Sequence, residues 1–502
     1  MILFIIALYF SILIGIGLTG RRFAHRTGED YFLANRTIGP FVLLMTLFGT
    51  QMTAFALLGA SGEAYRRGIG VFALMASSSA LVVPLIFHFL GTRVWEIGQR
   101  LGCLTQAQFF RARWQSDVVA SVLFVFLLVL LIPYLLIGIM GAGITLHQIT
   151  SGVIAEWLGS LVVCFVVFVY VVTSGLRGTS WANCFQVLVF MSLGLVTFFY
   201  ISSRLGGLNT AMHQVQQSHP ELLMMAGSVS GLELFSFLFI PLSAAMFPHL
   251  FMHWLSARDA AAFRLPVAAY PACIAILWGP IVLMGIMARI PFPDLEGPAV
   301  NSVLVRMIQH YSPEILAGLL AAGVLAAIMS SLDSQVLSVG TIFTHDVVKH
   351  FGFHDEMDER RQVLSGRLFV TLILAVCFFL SLVTNRTIFS LGIWSFTGYS
   401  SLLPVLLAAL FWKRSTRWGA LASTLVTALL WAGFFWKGWQ VPGYSIGGTG
   451  LLPLVVMVGA SSCAMIVGSL LSSPPEEAVL KSFFPENREV EASCRQRLGG
   501  NP

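Results

Sequence analysis

The sequence predicts an all-α integral membrane protein of about thirteen transmembrane helices, and three observations predict it. Of its 502 residues, 57% are hydrophobic and only 10% carry charge, against roughly 25% charged in soluble domains. Apolar runs of about 20 residues, the length that crosses the hydrocarbon of a bilayer, recur along the whole chain. Lys and Arg collect in alternate connections between those runs. A soluble chain of this length divides into domains with charged surfaces, and this one has too few charges to make them. A bilayer is the solvent that fits.

The runs fall at about 2–20, 38–60, 69–91, 117–145, 154–174, 179–203, 231–255, 265–288, 313–340, 367–384, 387–412, 418–436 and 449–472. They are far longer than the 9–11-residue strands of a membrane barrel, so helices must satisfy the backbone in lipid. The first run has no basic segment before it and no convincing cleavage signal, so it reads as a retained span. With the amino terminus outside, 22 of the 29 Lys and Arg fall in cytoplasmic segments, the bias that sets orientation in membranes. The remaining seven are Arg66, Arg67, Arg204, Arg289, Arg306, Arg386 and Lys437. This predicts an odd number of spans, an outside amino terminus and a cytoplasmic carboxyl terminus, in a plasma (bacterial inner) membrane. It also accounts for the formal charge of +6 without nucleic-acid binding.

Other classes are excluded by what the sequence lacks. The seven cysteines are scattered with no CxxC spacing, which speaks against a disulfide framework or structural zinc site. No GxxxxGK[ST] stretch is present, so an ATP-driven pump is not expected. Neither HExxH nor GxSxG occurs, and no metal ligands cluster, so an enzyme is not expected. About thirty residues, 473–502, form a tail too short for a nucleotide-binding domain.

Two runs carry backbone breakers and small polar residues where leucine would serve. Residues 46–54 read TLFGTQMTA in the second run, and 241–249 read PLSAAMFPH in the seventh. Pro241 and Pro248 each remove an amide donor and clash with the preceding turn, so a continuous helix through them is not expected. The breaks fall in the first helix of two five-span sets, spans 2–6 and 7–11. Five is odd, so the second set enters the membrane from the opposite side. Interrupted helices at corresponding positions of two inverted halves point to a transporter site near the midplane, although an isolated proline kink needs no ligand.

Span 9 contains LAAIMSSLDSQ, 325–335. Ala327, Ser330, Ser331 and Ser334 share one helical face by their spacing. Two adjacent hydroxyls with a carbonyl one turn earlier offer neutral hard oxygens, the ligand type that hard cations take. A break in a neighbouring helix would add freed carbonyls. Small serines also serve simple close packing, and spacing alone leaves both uses open.

The run AAIMSSLDSQVLSVGTIFTHDVV resembles the eighth core helix of sodium/solute symporters, the group containing proline, pantothenate, monocarboxylate and sodium/glucose transporters. FGTQMTAFALLG resembles the first core helix, and DYFLANRTIGP the segment leading into it. SGLRGTSWANCFQ resembles the entry to the fifth, FPHLFMHWLSARD the end of the sixth, and FWKRSTRWGALAS a late cytoplasmic turn. These matches keep the family order across about 20–480. The resemblance implies a leucine-transporter-type 5+5 inverted repeat and a sodium site formed by the carbonyls of Gly49, Met52 and Ala327 with the hydroxyls of Ser330 and Ser331. The implied organisation is a first helix with its lead-in (1–37), a first repeat (38–205), a second repeat (231–412), two additional helices (413–472) and the tail.

The sequence also departs from the family. Ala182-Asn183 stands where many members have Thr-Asp, a carboxylate linked to a second sodium in some of them, so one sodium per solute is expected. Gln51 replaces the aspartate of the proline transporters. Ser243 and Ala244 lie where several members place an aromatic gate, and His253 where arginine is usual. Gln51, Thr53, Phe55, Phe239 and Ser243 are the candidate solute contacts; Asn183, Pro248, Asp333 and Ser334 are candidates for coupling or gating. Asp333 is acidic deep in a span, where a functional or paired role is the default. His249 and His253 are candidates for a proton relay or simple packing residues. The expected function is sodium-coupled symport of a small organic solute into the cell by alternating access, with Na+ as coupling ion and no organic cofactor. Proton-coupled symport and a solute sensor on the same scaffold are the alternatives.

Overall fold

Away from water, a long apolar run satisfies its peptide groups within its own helix. The computed structural model describes residues 1–23, 33–224, 229–349, 359–441 and 443–484, and among these the regular structure is helical apart from one isolated bridge. The tail beyond 484, with Cys494, Arg488, Arg495 and Arg497, lies outside the described residues, as does most of the lead-in at 24–32.

The helices in order are α1 (Ile2–Phe23), α2 (Pro40–Gln51), α3 (Phe55–Arg67), α4 (Phe72–Leu101), α5 (Gln106–Trp114), α6 (Asp117–Ile149), α7 (Glu156–Val172) and α8 (Gly175–Arg204). After a short connecting helix, Leu208–Ser218, they continue as α9 (Gly231–Ala245), α10 (Pro248–Ser256), α11 (Ala260–Met287), α12 (Val303–Tyr311), α13 (Glu314–Val348), α14 (Leu364–Val383), α15 (Ile388–Phe411), α16 (Arg417–Gln440), α17 (Pro453–Leu470) and α18 (Glu477–Phe483). Ten of these are long and apolar enough to cross a bilayer, and twelve when each of the bent pairs α2–α3, at 57°, and α9–α10, at 50°, is taken as one span. The apolar helix α7 is shorter. Every one of the thirteen predicted runs falls on one of these helices or pairs.

The broken helices lie where the sequence placed them. α2 ends at Gln51 because Met52 leaves helical geometry (φ −88°, ψ 76°). In α9 the backbone tightens to a 3-10 turn over Ile240–Ala245, and Phe247 is extended (φ −62°, ψ 124°). A residue before proline is pushed to that extended region, and Pro248 then starts α10. α8 starts at Gly175 (φ 60°, ψ −165°), which breaks it from α7 in a conformation essentially reserved for glycine.

Burial sets the layers. α13 and α15 have 83% and 89% of their apolar windows buried, against 28% for α1 and 22% for α14. α13 packs on α1, α2, α6 and the α7–α8 pair, and the 3-10 turn of α9 packs on α15. The close approach of α6 to the first break depends on Gly141, where a Cβ would stand 2.5 Å from Ala54 Cβ.

Candidate functional site

The first break lies directly across from the serines of α13. Ser330 Oγ is 2.9 Å from the Gly49 carbonyl oxygen of α2 and 3.0 Å from that of Ala327, one turn back on its own helix. Gly49 permits this contact: a Cβ there would stand 2.6 Å from Val187 Cγ2 of α8 and 3.6 Å from Ser330 Oγ. Ser331 donates to the Ile328 carbonyl at 2.9 Å, which uses its proton and leaves its lone pairs for a cation. Met52, the fifth expected ligand, is the residue at which α2 unwinds; its N–H reaches the Phe48 and Gly49 carbonyls at 3.1 Å each. Both serines are buried.

One turn further along α13, Asp333 is fully buried among neutral hydrogen-bonding groups. Tyr170 donates its hydroxyl to Asp333 Oδ2 at 2.9 Å, and Ser334 Oγ lies 3.1 Å from Oδ1. The Asn183 carboxamide satisfies its surroundings with its nitrogen towards Asp333, 3.2 and 3.1 Å from the two oxygens and 3.1 Å from the Ser330 carbonyl; its oxygen then accepts from Ser334 at 2.9 Å. His253 Nε2 of α10 stands 3.5 Å from Ser334 Oγ. Three of the four coupling candidates, Asn183, Asp333 and Ser334, therefore share one network joining α7, α8, α10 and α13. Pro248, the fourth, is the first residue of α10.

The solute candidates do not converge in this way. Gln51 Nε2 turns back onto the Leu47 carbonyl at 3.3 Å, and Thr53 Oγ1 accepts from the Phe55 N–H at 2.9 Å. Thr53 thus closes the break as a local cap. Phe55 stacks on Phe389 with ring centroids 5.0 Å apart and meets Phe396 edge-on at 4.9 Å. Phe239 packs on Phe235 at 5.4 Å, and Ser243 is buried in the 3-10 turn.

Sequence reasoning missed the aromatic group between the two breaks. Phe247 stacks on Tyr134 at 5.1 Å, meets Tyr399 at 4.6 Å and Phe396 at 5.8 Å, and lies 5.1 Å from the ring of His249. Phe247 was legible as the residue between the break and Pro248. Tyr134, Phe396 and Tyr399 sit in ordinary apolar helix and carry no local signal. Above this group, a cavity of about 730 Å³ opens between α3, α9, α15 and the connection before α17, lined by Glu63, Arg67, Glu233, Phe237, Phe389 and Trp394 among others.

Comparison with known proteins gives three results. A family model described as the sodium:solute symporter family matches residues 31–427. The chain is 25% identical to the osmoregulated proline transporter OpuE of Bacillus subtilis, covering 91% of this chain and 92% of that one, and 26% identical to the sodium/pantothenate symporter of Escherichia coli, covering 94% and 97%. Its fold is similar to a substrate-bound, outward-open Na+-coupled sialic acid symporter (TM-score 0.77, 14% identity, 95% of this chain and 98% of that one) and to the nucleobase-cation-symport-1 transporter Mhp1 (TM-score 0.59, 13% identity, 90% and 97%).

Proposed function

The chain belongs to the sodium:solute symporter family, and from that premise we propose that it imports a small organic solute by coupling it to inward sodium movement. The coupling ion binds where the first break meets α13, to the carbonyls of Gly49, Met52 and Ala327 and the hydroxyls of Ser330 and Ser331. The observation that carries this reading is the 2.9 Å approach of Ser330 Oγ on α13 to the Gly49 carbonyl oxygen on α2, 281 positions apart in the chain. An ion held between oxygens of α2 and α13 ties those helices together. It therefore favours one arrangement of the two over another, and only such differential affinity moves a conformational equilibrium.

In this reading residues 38–205 and 231–412 are the inverted repeats, the amino terminus is outside the plasma membrane, and the cavity above the aromatic group is the entry from outside. The neutral ligand set holds sodium weakly enough for release into a low-sodium cytoplasm. At −100 mV one translocated charge supplies about 2.3 kcal/mol, and the concentration gradient adds to it. Solute passes between the two breaks, past Gln51, Thr53, Phe55, Phe239 and Ser243, while Asn183, Pro248, Asp333 and Ser334 connect the sodium helix to the second break.

The test is uptake of a radiolabelled solute panel into proteoliposomes. Accumulation is expected with an inward sodium gradient and lost when choline replaces sodium. Uptake indifferent to choline but abolished by a protonophore would select proton coupling instead.

A further inference from the structure

The aromatic group between the breaks contains one polar side chain with nothing to bond. His249 is fully buried, and both its ring nitrogens lack a hydrogen-bond partner. It is the second residue of α10, nine residues long, whose first turn faces the break. The opening N–H groups of a helix have no partner within it, and here Phe247 supplies no side-chain cap. The acceptor that the break itself offers, the Met246 carbonyl, is taken by Gln106 Nε2 at 3.2 Å, while the Phe247 carbonyl accepts from Phe251 N at 3.0 Å. The surroundings are the rings of Tyr134, Phe247 and, beyond them, Phe396, which reaches Phe55 at the other break. Unpaired donors therefore gather in an apolar enclosure, with the second imidazole nitrogen and Gln106 Oε1 as unpaired acceptors beside them, and each buried group left unpaired costs about 1–3 kcal/mol.

We propose that the amino terminus of α10, with the His249 imidazole, is the solute-recognition site, and that it takes the carboxylate of a small organic acid. The backbone N–H groups of His249 and Leu250 and one imidazole N–H face a ligand that must bring acceptors. A carboxylate brings two oxygens and a negative charge, which the positive end of a helix favours. Tyr134, Phe247 and Phe396 cover the rest of a small solute. The assignment rests on the symporter reading and bears on its energetics: with one sodium ion, an acid that also carries a positive group moves one net charge and uses the membrane potential, whereas a simple carboxylate anion moves none and is driven by the concentration gradient alone. His253, one turn along α10, touches Ser334 of the sodium helix, so the two sites share a structural contact.

The test uses the full chain in detergent with a panel of amino, hydroxy and keto acids, L-proline, pantothenate and lactate among them. Each acid is paired with its neutral amide, ester or alcohol analogue, and the readout is thermal stabilisation in sodium and in choline. At least one acid is expected to stabilise the protein, with its neutral partner about tenfold weaker, a difference of about 1.4 kcal/mol. His249→Phe, which keeps the ring, is expected to weaken the acid by about tenfold with the stabilisation by sodium alone unchanged. His249→Gln, which keeps a donor, is expected to retain more of the response. Neutral analogues binding as well as acids, no acid responding, or His249→Phe leaving acid affinity intact would each overturn the assignment. Should His249→Phe fail to fold, the acid-against-neutral comparison on the natural protein decides by itself. Stabilisation by sodium alone is read in the same titration. Its absence, with acid binding preserved, would sink the sodium reading and leave this one standing.

Discussion

Arg67, at the end of α3, donates two hydrogen bonds of 2.7 Å each to the carboxylate of Glu233, in the first turn of α9. The pair joins the two broken helices at one end. At the other end the chain joins them through the backbone: Ile38 N donates to the Ser256 carbonyl at 3.2 Å, and Arg258 N to the Ile38 carbonyl at 2.9 Å. The two ties differ in kind. Backbone bonds hold the end that the basic residues assign to the cytoplasm, and a single ion pair beside the cavity holds the other. The half of the second broken helix beside the cavity, α9, is also the poorly covered one: Leu232, Phe235 and Leu238 are exposed, whereas every residue of α10 is buried.

Breaking the ion pair should therefore favour the outward-open arrangement. Side chains of Arg67 and Glu233 are 24% and 18% exposed, so solvent screens the pair and its contribution is about 1–2 kcal/mol. Glu233→Gln is expected to raise the labelling rate of a cysteine placed at Ile393, a cavity-lining position, by an impermeant thiol reagent about fivefold or more. Because Glu63 also faces Arg67 at 3.7 Å, the exchange Arg67→Glu with Glu233→Arg should bring the rate back when Glu63→Gln is added to remove the new repulsion. Unchanged labelling in the single variant would show that the pair does not hold the entry closed.

Replacing Ser330 and Ser331 together by Ala removes both hydroxyl oxygens from the expected ligand set and the contact to Gly49. The sodium half-saturation for uptake should rise at least about tenfold, some 1.4 kcal/mol. The check is initial uptake rate against sodium concentration at fixed membrane potential.

Gly49→Ala tests the same contact from the other helix. The added methyl would meet Val187 Cγ2 at 2.6 Å, so α2 or α8 must shift. A loss of about 1–3 kcal/mol in stability is expected for such overpacking, with weaker sodium binding alongside it. Thermal melting with and without sodium separates the two effects; a melting point and sodium shift equal to the natural protein would contradict the packing described.

Asp333→Ala strands the Tyr170 hydroxyl and the Asn183 amide in the interior. A loss of about 2–3 kcal/mol follows from leaving buried polar groups unpaired, and melting should fall accordingly. Asp333→Asn keeps acceptor and shape, and most of the stability should survive. Equal melting for the two variants would mean that the network does not hold α7 to α13.

Gly175→Ala places a side chain at φ 60°, ψ −165°, a region essentially reserved for glycine, at about 1–3 kcal/mol. The expected outcome is a lower melting temperature with sodium affinity unchanged, because Gly175 is outside the ligand set.

The break positions were legible because their causes are local. Pro241 and Pro248, seven residues apart, each remove an amide donor and disfavour a regular helix through both, although the single prolines Pro84, Pro133, Pro271 and Pro280 sit inside continuous helices, and the small polar run at 46–54 marks the other break. The serine face of α13 was legible from helical spacing alone. Thr53 and Gln51 show the opposite case. Their polarity and position suggested solute contacts, yet each bonds its own backbone locally, a choice set by side-chain rotamers that no spacing reveals. Tyr134, Phe396 and Tyr399 look like any other apolar helix positions, and their gathering around Phe247 depends on which faces of three distant helices meet.

By itself the sequence determined that this protein lives in a bilayer, where its helices begin and break, and which oxygens on α13 stand on one face, because these follow from hydropathy, proline chemistry and the helical period. Only the tertiary structure decided that Ser330 meets Gly49, that Asp333 is answered by Tyr170 and Asn183, that Arg67 holds Glu233, and that His249 is left with unused nitrogens. Those relations join residues far apart in the chain, and the packing of whole helices against one another sets them.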